Sequence, residues 1–318
     1  WNALELGENY TIDTGAGQDQ QISSMGRIGY IYDGKYILDA SIRRDGYSAF
    51  GAGNKFGVFP AVGLSWNMIE ESFIQSVPFI NNLKVRLSWG KNGNRGIGRY
   101  SSLSNIDDDP TYYVFGPNSA IAQVITSMAN PNLGWETTAS TNFAVDFSLL
   151  SQRINGSVDF YVSHTTDLLL EQSIPNTNGF DEFLRNVGEV ENKGVELSLN
   201  TVNLILGDFT WSTDIAFTHN KNKILRLTGV DIDEDGVEDD DIASGWFIGK
   251  SLGSNYDYVF DGIYQEGDDF SAIPGAAAGD IRFKDISGPD GVPDGVITPE
   301  DRRVLHNSLP NFTTGLTN

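Results

Sequence analysis

Cysteine is absent from the 318 residues, which excludes disulfides and thiolate metal centres and leaves redox chemistry silent about compartment. No run approaches the roughly 20 consecutive apolar residues that a membrane-crossing helix needs. That excludes a helical span but not a barrel, whose strands carry a much weaker hydropathy signal. Histidine is scarce: His164, His219 and His306 stand alone, with no Glu or His at metal-ligand spacing. No serine occupies a Gly-x-Ser-x-Gly elbow, and neighbouring carboxylates such as Glu70 and Glu71 point apart where glycosidase chemistry needs convergence, so an enzyme is not expected. Positive charge is short as well, 21 Lys+Arg against 43 Asp+Glu for a net of −22, which argues against a nucleic-acid partner. The chain opens at Trp1 with neither a basic n-region nor an apolar h-region, so no signal peptide is read in it and a processed chain or a fragment is expected.

What the chain does have is alternation. Phe209, Trp211, Ile215 and Phe217 share one face with Thr213, while Thr210, Ser212, Asp214 and Ala216 take the other, as side chains do along a strand. Aromatics stand at both ends of the greasy face, roughly 26 Å apart at about 3.3 Å per residue, close to the height of a lipid-facing band between aromatic girdles. The same pattern returns at Leu83/Val85/Leu87/Trp89, Phe143/Val145/Phe147/Leu149, Ile154/Val158/Phe160/Val162, Val195/Leu197/Leu199 and Tyr36/Leu38/Ala40/Ile42, where Ile37 breaks the polar side. The intervening positions are too polar for a packed core.

These segments predict strands over 25–33, 35–45, 56–67, 83–90, 137–149, 153–166, 191–201 and 209–220, with a ninth starting near 311. A helical turn is expected within 69–75, and a small extra hairpin within 256–264. Links at 33–34, 150–152 and 202–208 are tight, and 68–82 is somewhat longer. The alternate links, 46–55, 91–136, 167–190 and 221–310, are mostly long. Short turns on one side and long loops on the other suit an up-and-down outer-membrane barrel with the long loops outside. The fold class is therefore all-β, an antiparallel meander. A soluble, calcium-stabilised β-protein, such as a surface adhesin or carbohydrate-binding module, is the alternative; it requires Val145, Phe147, Phe160 and Phe217 to face another sheet. Aromatic loop residues Tyr112, Tyr113, Phe115, Trp135, Trp246 and Phe247 could stack on a sugar or peptide, or simply pin loops together. Arg44, Lys55, Arg86 and Arg153 are expected on the inner face, paired with Asp146 or Asp159.

Several strings resemble the SusC/RagA-type TonB-dependent outer-membrane transporters of Bacteroidetes-like bacteria. They are Arg44-Asp45-Gly46-Tyr47-Ser48-Ala49-Phe50-Gly51 with the following 54–66, Ser88-Trp89-Gly90-Lys91-Asn92-Gly93-Asn94, Asn130-Pro131-Asn132-Leu133-Gly134-Trp135-Glu136-Thr137, Thr166-Asp167-Leu168-Leu169-Leu170, and Asn186-Val187-Gly188-Glu189-Val190-Glu191-Asn192-Lys193-Gly194-Val195-Glu196-Leu197. Asp261-Gly262-Ile263-Tyr264-Gln265 and Gly279-Asp280-Ile281-Arg282-Phe283-Lys284-Asp285 complete the set, in the family's order. The resemblance implies residence in the cell outer membrane and import of a nutrient such as a glycan fragment or peptide. It also implies a SusD-like surface lipoprotein as lid, a TonB complex as energy source, and outer-membrane lipid around a 22-strand barrel. Residues 1–318 then form an internal slice of that barrel, about eight complete strands and one truncated, without the plug domain and with an acidic excursion at 221–310.

That excursion holds 19 acidic against eight basic residues, a net of −11. Its first run, Asp231-Ile232-Asp233-Glu234-Asp235-Gly236, places carboxylates at positions 1, 3 and 5 and glycine at 6, as in a calcium loop, but position 12 is Ile242; Glu238, Asp239 or Asp240 would have to substitute. In the second, counting from Asp290 puts Asp294 at 5, Gly295 at 6, Val296 at 7 and Asp301 at 12, with Val292 failing at 3. Oxygens of Asp290, Asp294, the Val296 carbonyl and Asp301, aided by Asp285 or Ser287, form the expected calcium set, against a solvated Gly/Asp turn cluster. No other cofactor is expected.

Overall fold

The computed structural model describes residues 16–106, 111–116, 118–122, 125–174, 177, 179–180, 182–232, 234–288 and 291–318. In chain order the strands are β1 (Gln21–Tyr32), β2 (Tyr36–Tyr47), β3 (Phe56–Asn67), β4 (Ile80–Asn94), β5 (Thr111–Phe115), β6 (Asn118–Ala122), β7 (Glu136–Leu149), β8 (Ile154–Thr166) and β9 (Leu169–Ser173). There follow β10 (Glu182–Asn186), β11 (Glu189–Leu206), β12 (Phe209–Arg226), β13 (Ser254–Tyr258), β14 (Phe260–Ile263), β15 (Ile281–Phe283), β16 (Arg302–Asn307) and β17 (Thr313–Thr317). Nine of them form one sheet in the order β1-β2-β3-β4-β7-β8-β11-β12-β17, every pairing antiparallel. The remaining eight make two-stranded ribbons within the long links.

Register converts the alternation into two faces. Across the sheet, Tyr30, Leu38, Leu64, Leu87, Phe143, Phe160 and Val195 stand in one row. The next row reads Tyr32, Tyr36, Trp66, Val85, Val145, Val158, Leu197 and Phe217. Leu64 is 50% and Phe160 47% exposed, and among the described residues no second sheet packs on these rows. The sandwich arrangement is thereby overturned. A protein in water would not leave so large an apolar surface bare. Opposite them, Ser65, Arg86, Ala144, Asp159, Glu196 and Thr218 form a row of the polar face.

The strands are also staggered. Tyr36 and Trp66, beside the tight-turn end of β2 and β3, share a row with Phe217, which lies eight residues beyond Phe209 at the start of β12. Progressive stagger of this kind is what tilted strands in a barrel wall require. Tyr32, Tyr36 and Trp66 stack in sequence at 6.4 and 6.2 Å, forming an aromatic girdle at that end.

Short links lie at one end throughout. Asp33 and Gly34, at φ 52° and 67°, make the hairpin turn between β1 and β2 that right-handed strand twist favours. Leu150, Ser151 and Gln152 are all left-handed, held by bonds from the Gln152 N–H to the Asn81 amide oxygen and from the Asn155 amide to the Gln152 carbonyl. The expected helical turn is present as Met68–Glu70 and α1 (Ser72–Gln75). The expected hairpin at 256–264 is not. Instead β13 pairs with β16, and β14 with β15, so each strand finds its partner further along the chain. Among the described residues the buried core clusters lie toward the long-loop end: Tyr47, Ala49, Phe50, Phe59, Leu133 and Trp135 in one, and Val190, Ile224 and Leu227 in another.

Candidate functional site at the long-loop end

The first cluster is a knot joining three links. Where β2 leaves the sheet, Tyr47 meets Phe50 edge-on at 5.5 Å; Trp135 then lies 5.0 Å from Phe50 and 5.4 Å from Phe59. Its indole N–H donates to the Lys55 carbonyl at 3.2 Å, satisfying the one polar atom of a ring that is otherwise buried. Gly51 donates its N–H to the Leu133 carbonyl at 2.8 Å, and a Cβ there would stand 1.8 Å from the Pro131 carbonyl oxygen, so backbone approaches backbone as only glycine allows.

Asparagine amides complete the knot. Asn54 donates to the Asn132 carbonyl at 2.6 Å and Asn130 to the Leu184 carbonyl at 2.8 Å. Asn186 accepts from Gly134 N–H at 2.7 Å and donates to the carbonyls of Gly134 and Asp167 at 2.9 and 3.1 Å. Loops with no ladder partner must bond their backbone elsewhere, and here side-chain amides supply the partners. Strings 44–51, 130–137 and 186–188 thus meet in space.

The second cluster docks the acidic excursion. Ile224 exchanges backbone bonds at 2.8 Å with Lys250 and Gly249, and Trp246 and Ile248 pack over Ile224 and Val190. Phe247, buried, tilts against Tyr256 at 4.9 Å. Trp135, Trp246 and Phe247 therefore pin loops. The side chains of Tyr112, Tyr113 and Phe115 lie outside the described residues.

The polar face carries the charges. Arg86 grips Asp146 through two bonds at 2.7 and 2.8 Å and reaches Asp159 at 3.4 Å, as expected. Arg44 departs from expectation: parity puts it on the apolar face, its guanidinium 4.0 Å over the Phe56 ring. Arg153 departs too, donating to the Val202 and Asn203 carbonyls beside the tight turn at 3.1 and 2.7 Å. Among the described residues Lys55 makes no ion pair with Asp146 or Asp159, unlike the expectation; its carbonyl serves the knot. Tyr161 lies across Gly194 and donates to Asn220 at 3.0 Å. The histidines are engaged singly, His164 with Glu191, His219 with the Asn311 carbonyl and His306 with Asn255.

In the acidic runs, carboxylates cap loop amides. Asp231 accepts from Gly236, Glu238 from Leu227 and Gly229, Asp239 from Ile232, and Asp240 from Ile248. Asp233 lies outside the described residues. In the second run Asp301, fully buried, accepts from Ile286 and Ser287 at 2.8 and 3.1 Å and from Thr298 at 2.8 Å. Burial works against its ionisation, but these amides and the Asp285 side chain outweigh it and hold the carboxyl below the usual range. Asp285 accepts from Gly295 N–H at 2.6 Å, while its other oxygen is buried with no hydrogen-bond partner. Asp294 accepts from Val296 N–H at 2.9 Å. Asp290 lies outside the described residues. Among the described residues no group of three or more His, Asp or Glu side chains converges as a metal cage.

A family model described as TonB dependent receptor-like, beta-barrel matches residues 6–296. TonB-dependent receptor P3 of Formosa agariphila is 35% identical over 315 residues, covering 95% of this chain and 30% of that protein. TonB-dependent receptor SusC of Bacteroides thetaiotaomicron is 34% identical over 255 residues, 77% of this chain and 25% of that protein. Among solved structures, the RagAB peptide transporter superposes with a TM-score of 0.76 at 25% identity, over 94% of this chain and 31% of its own. The chain spans 25% to 31% of the length of these relatives.

Proposed function

The chain belongs to the TonB-dependent receptor-like β-barrel family of the outer membrane, transporters rather than enzymes, and on that premise we propose that it supplies barrel wall and long loops to an importer of peptides or glycan fragments. The observation that carries this reading is the two-faced sheet within the family match: an uncovered apolar face for lipid and an ion-paired polar face for a wet interior. A SusD-like lipoprotein closes over the long-loop end, where the knot holds three links in fixed relation. TonB supplies energy through a plug contributed by other parts of the receptor. Amides, hydroxyls and carboxylates dominate the polar face, which suits a hydrophilic, hydrogen-bonding cargo.

Uptake of fluorescent oligopeptides and oligosaccharides by cells with and without the receptor tests this. Import of at least one cargo class is expected to vanish on deletion and on collapse of the proton gradient. Uptake of both classes indifferent to either treatment discards the proposal.

The acidic loop at 285–301 is proposed to take calcium. Support comes from the buried oxygen of Asp285 that has no hydrogen-bond partner, in the same loop as the buried Asp301 carboxylate, oxygen donors of the kind calcium takes. Chelator is expected to lower the melting temperature of the intact receptor, and added calcium to restore it; a melt unmoved by either rejects the idea.

A further inference from the structure

We propose that a split in the wall between β3 and β4, at the long-loop end, is a binding site for a neutral sugar unit, separate from the polar face that cargo would follow. The β3–β4 ladder runs from Asn67–Lys84 to Ala61–Gly90 and stops there, although β3 starts at Phe56 and β4 continues to Asn94. Each strand keeps its other partner over that stretch, β3 with β2 as far as Gly46–Phe56 and β4 with β7 as far as Asn94–Glu136. The next residue in line on β3 is Pro60, whose nitrogen carries no hydrogen with which to continue the ladder. One ring stops the seam from the polar-face side. Phe59 occupies the space that a Cβ on Gly57 or Gly93 would need, and Trp135 braces it edge-on at 5.4 Å.

What remains of the seam is a cleft of about 350 Å³, room for a single sugar ring. It opens on the apolar-face side, because Phe56, Val58, Lys91 and Thr137 all take that face by parity. Phe56 and Val58, half exposed, give the cleft an apolar wall; Lys91, Asn132, Thr137 and Asp167 give it polar ones. Among the described residues Lys91 makes no ion pair, and the Asp167 carboxylate meets only the Thr166 hydroxyl, at 3.4 Å. Two opposite charges that share a cleft without pairing select against a charged occupant. An anion would face Asp167, and a cation Lys91. Hydroxyl groups satisfy both, since each can accept from the ammonium and donate to the carboxylate. The hydrocarbon face of a sugar ring then covers the apolar wall. An extended peptide fits less well, because the Phe59 ring fills the width in which it would join the ladder.

The test uses the full-length receptor in lauryldimethylamine oxide, a detergent without a sugar headgroup. Diazirine-bearing methyl galactoside, its uronate and its 2-amino analogue are each cross-linked to it, and the labelled peptides are mapped by mass spectrometry. The neutral probe is expected to label 54–59, 91–94 and 132–137 about ten-fold more than either charged one. Lys91→Met with Asp167→Gly, a residue that accepts the φ of 58° found there, should cut that labelling about ten-fold. Glu300→Gln, in the acidic excursion, should leave it unchanged. Heat-modifiable gel migration checks assembly; should the double variant not assemble, Lys91→Met alone and competition by free methyl galactoside should each reduce the signal. Equal labelling by all the probes, or labelling indifferent to the variants and to the competitor, overturns the proposal. Displacement by rough lipopolysaccharide but not by free galactoside also overturns it, by assigning the seam to the lipid leaflet. Import is not read, so failure here leaves the transport proposal standing.

Discussion

The molecule holds two apolar populations that obey opposite rules. The rows through Phe160 and Phe217 are numerous and regular, and among the described residues no second sheet packs on them. The knot around Trp135 and Phe50 is small, irregular and almost wholly buried. Hydrophobic residues in the wall are chosen for a solvent, the lipid, and their contribution arises when they partition into it. Those at the mouth are chosen for shape, because they must join loops that have no ladder between them. A wall residue is therefore replaceable by any apolar one, whereas a mouth residue is tied to its neighbours.

Four substitutions or conditions press on that contrast. Trp135→Ala should cost most, about 3–5 kcal/mol as a large core ring is lost. Limited proteolysis should then cut 46–55 and 130–136 while the barrel keeps its heat-modifiable migration; protected loops would show that the ring is dispensable. Phe160→Arg follows, at about 2–4 kcal/mol near mid-membrane, measured as reduced assembly into outer membranes, with Ser157→Arg on the polar face close to neutral. Equal effects at the two positions would erase the distinction between faces. Asn186→Ala should loosen the knot by about 1–3 kcal/mol through its stranded partners, seen as faster amide exchange in 130–136 and 186–188.

The smallest effect concerns Asp301. Its carboxyl titrates below the ordinary range in the folded loop, so its stabilisation is present above the unfolded value and disappears as pH falls through the folded one. Hydrogen exchange across 285–301 should rise in that acid window, and Asp301→Asn should show the fast rate already at neutral pH. A flat profile would remove the carboxylate from any role in holding the loop.

Much of the wall was legible because one rule, alternation, governs it. The eight predicted strands are present, and the side assigned to Phe143, Phe160 and Phe217 follows from counting by twos. Strand ends were less legible. β4 extends to Asn94 and β12 to Arg226, beyond the lipid band, where the outward positions are Lys91, Lys221 and Lys223 and the greasy alternation is lost. Arg44 lies on the apolar face because parity along the strand, not charge, sets the side a residue takes. The pairing of β13 with β16 joins segments some fifty residues apart, which no local pattern encodes. At the mouth, Asn54, Asn130 and Asn186 fall within the strings that carry the resemblance, but no alternation gives them a role; the signal that marks them is their position beside Gly51, Pro131 and Gly188, where backbones crowd and donors run short.

The close approach of Gly51 to Pro131 has a corollary for how such a mouth diversifies. The described residues between 103 and 129, and between 171 and 183, leave from a clasp that is fastened at its base. Pendants of that sort can be lengthened, shortened or rewritten without slackening the rim, so length can change in the one while geometry is kept in the other.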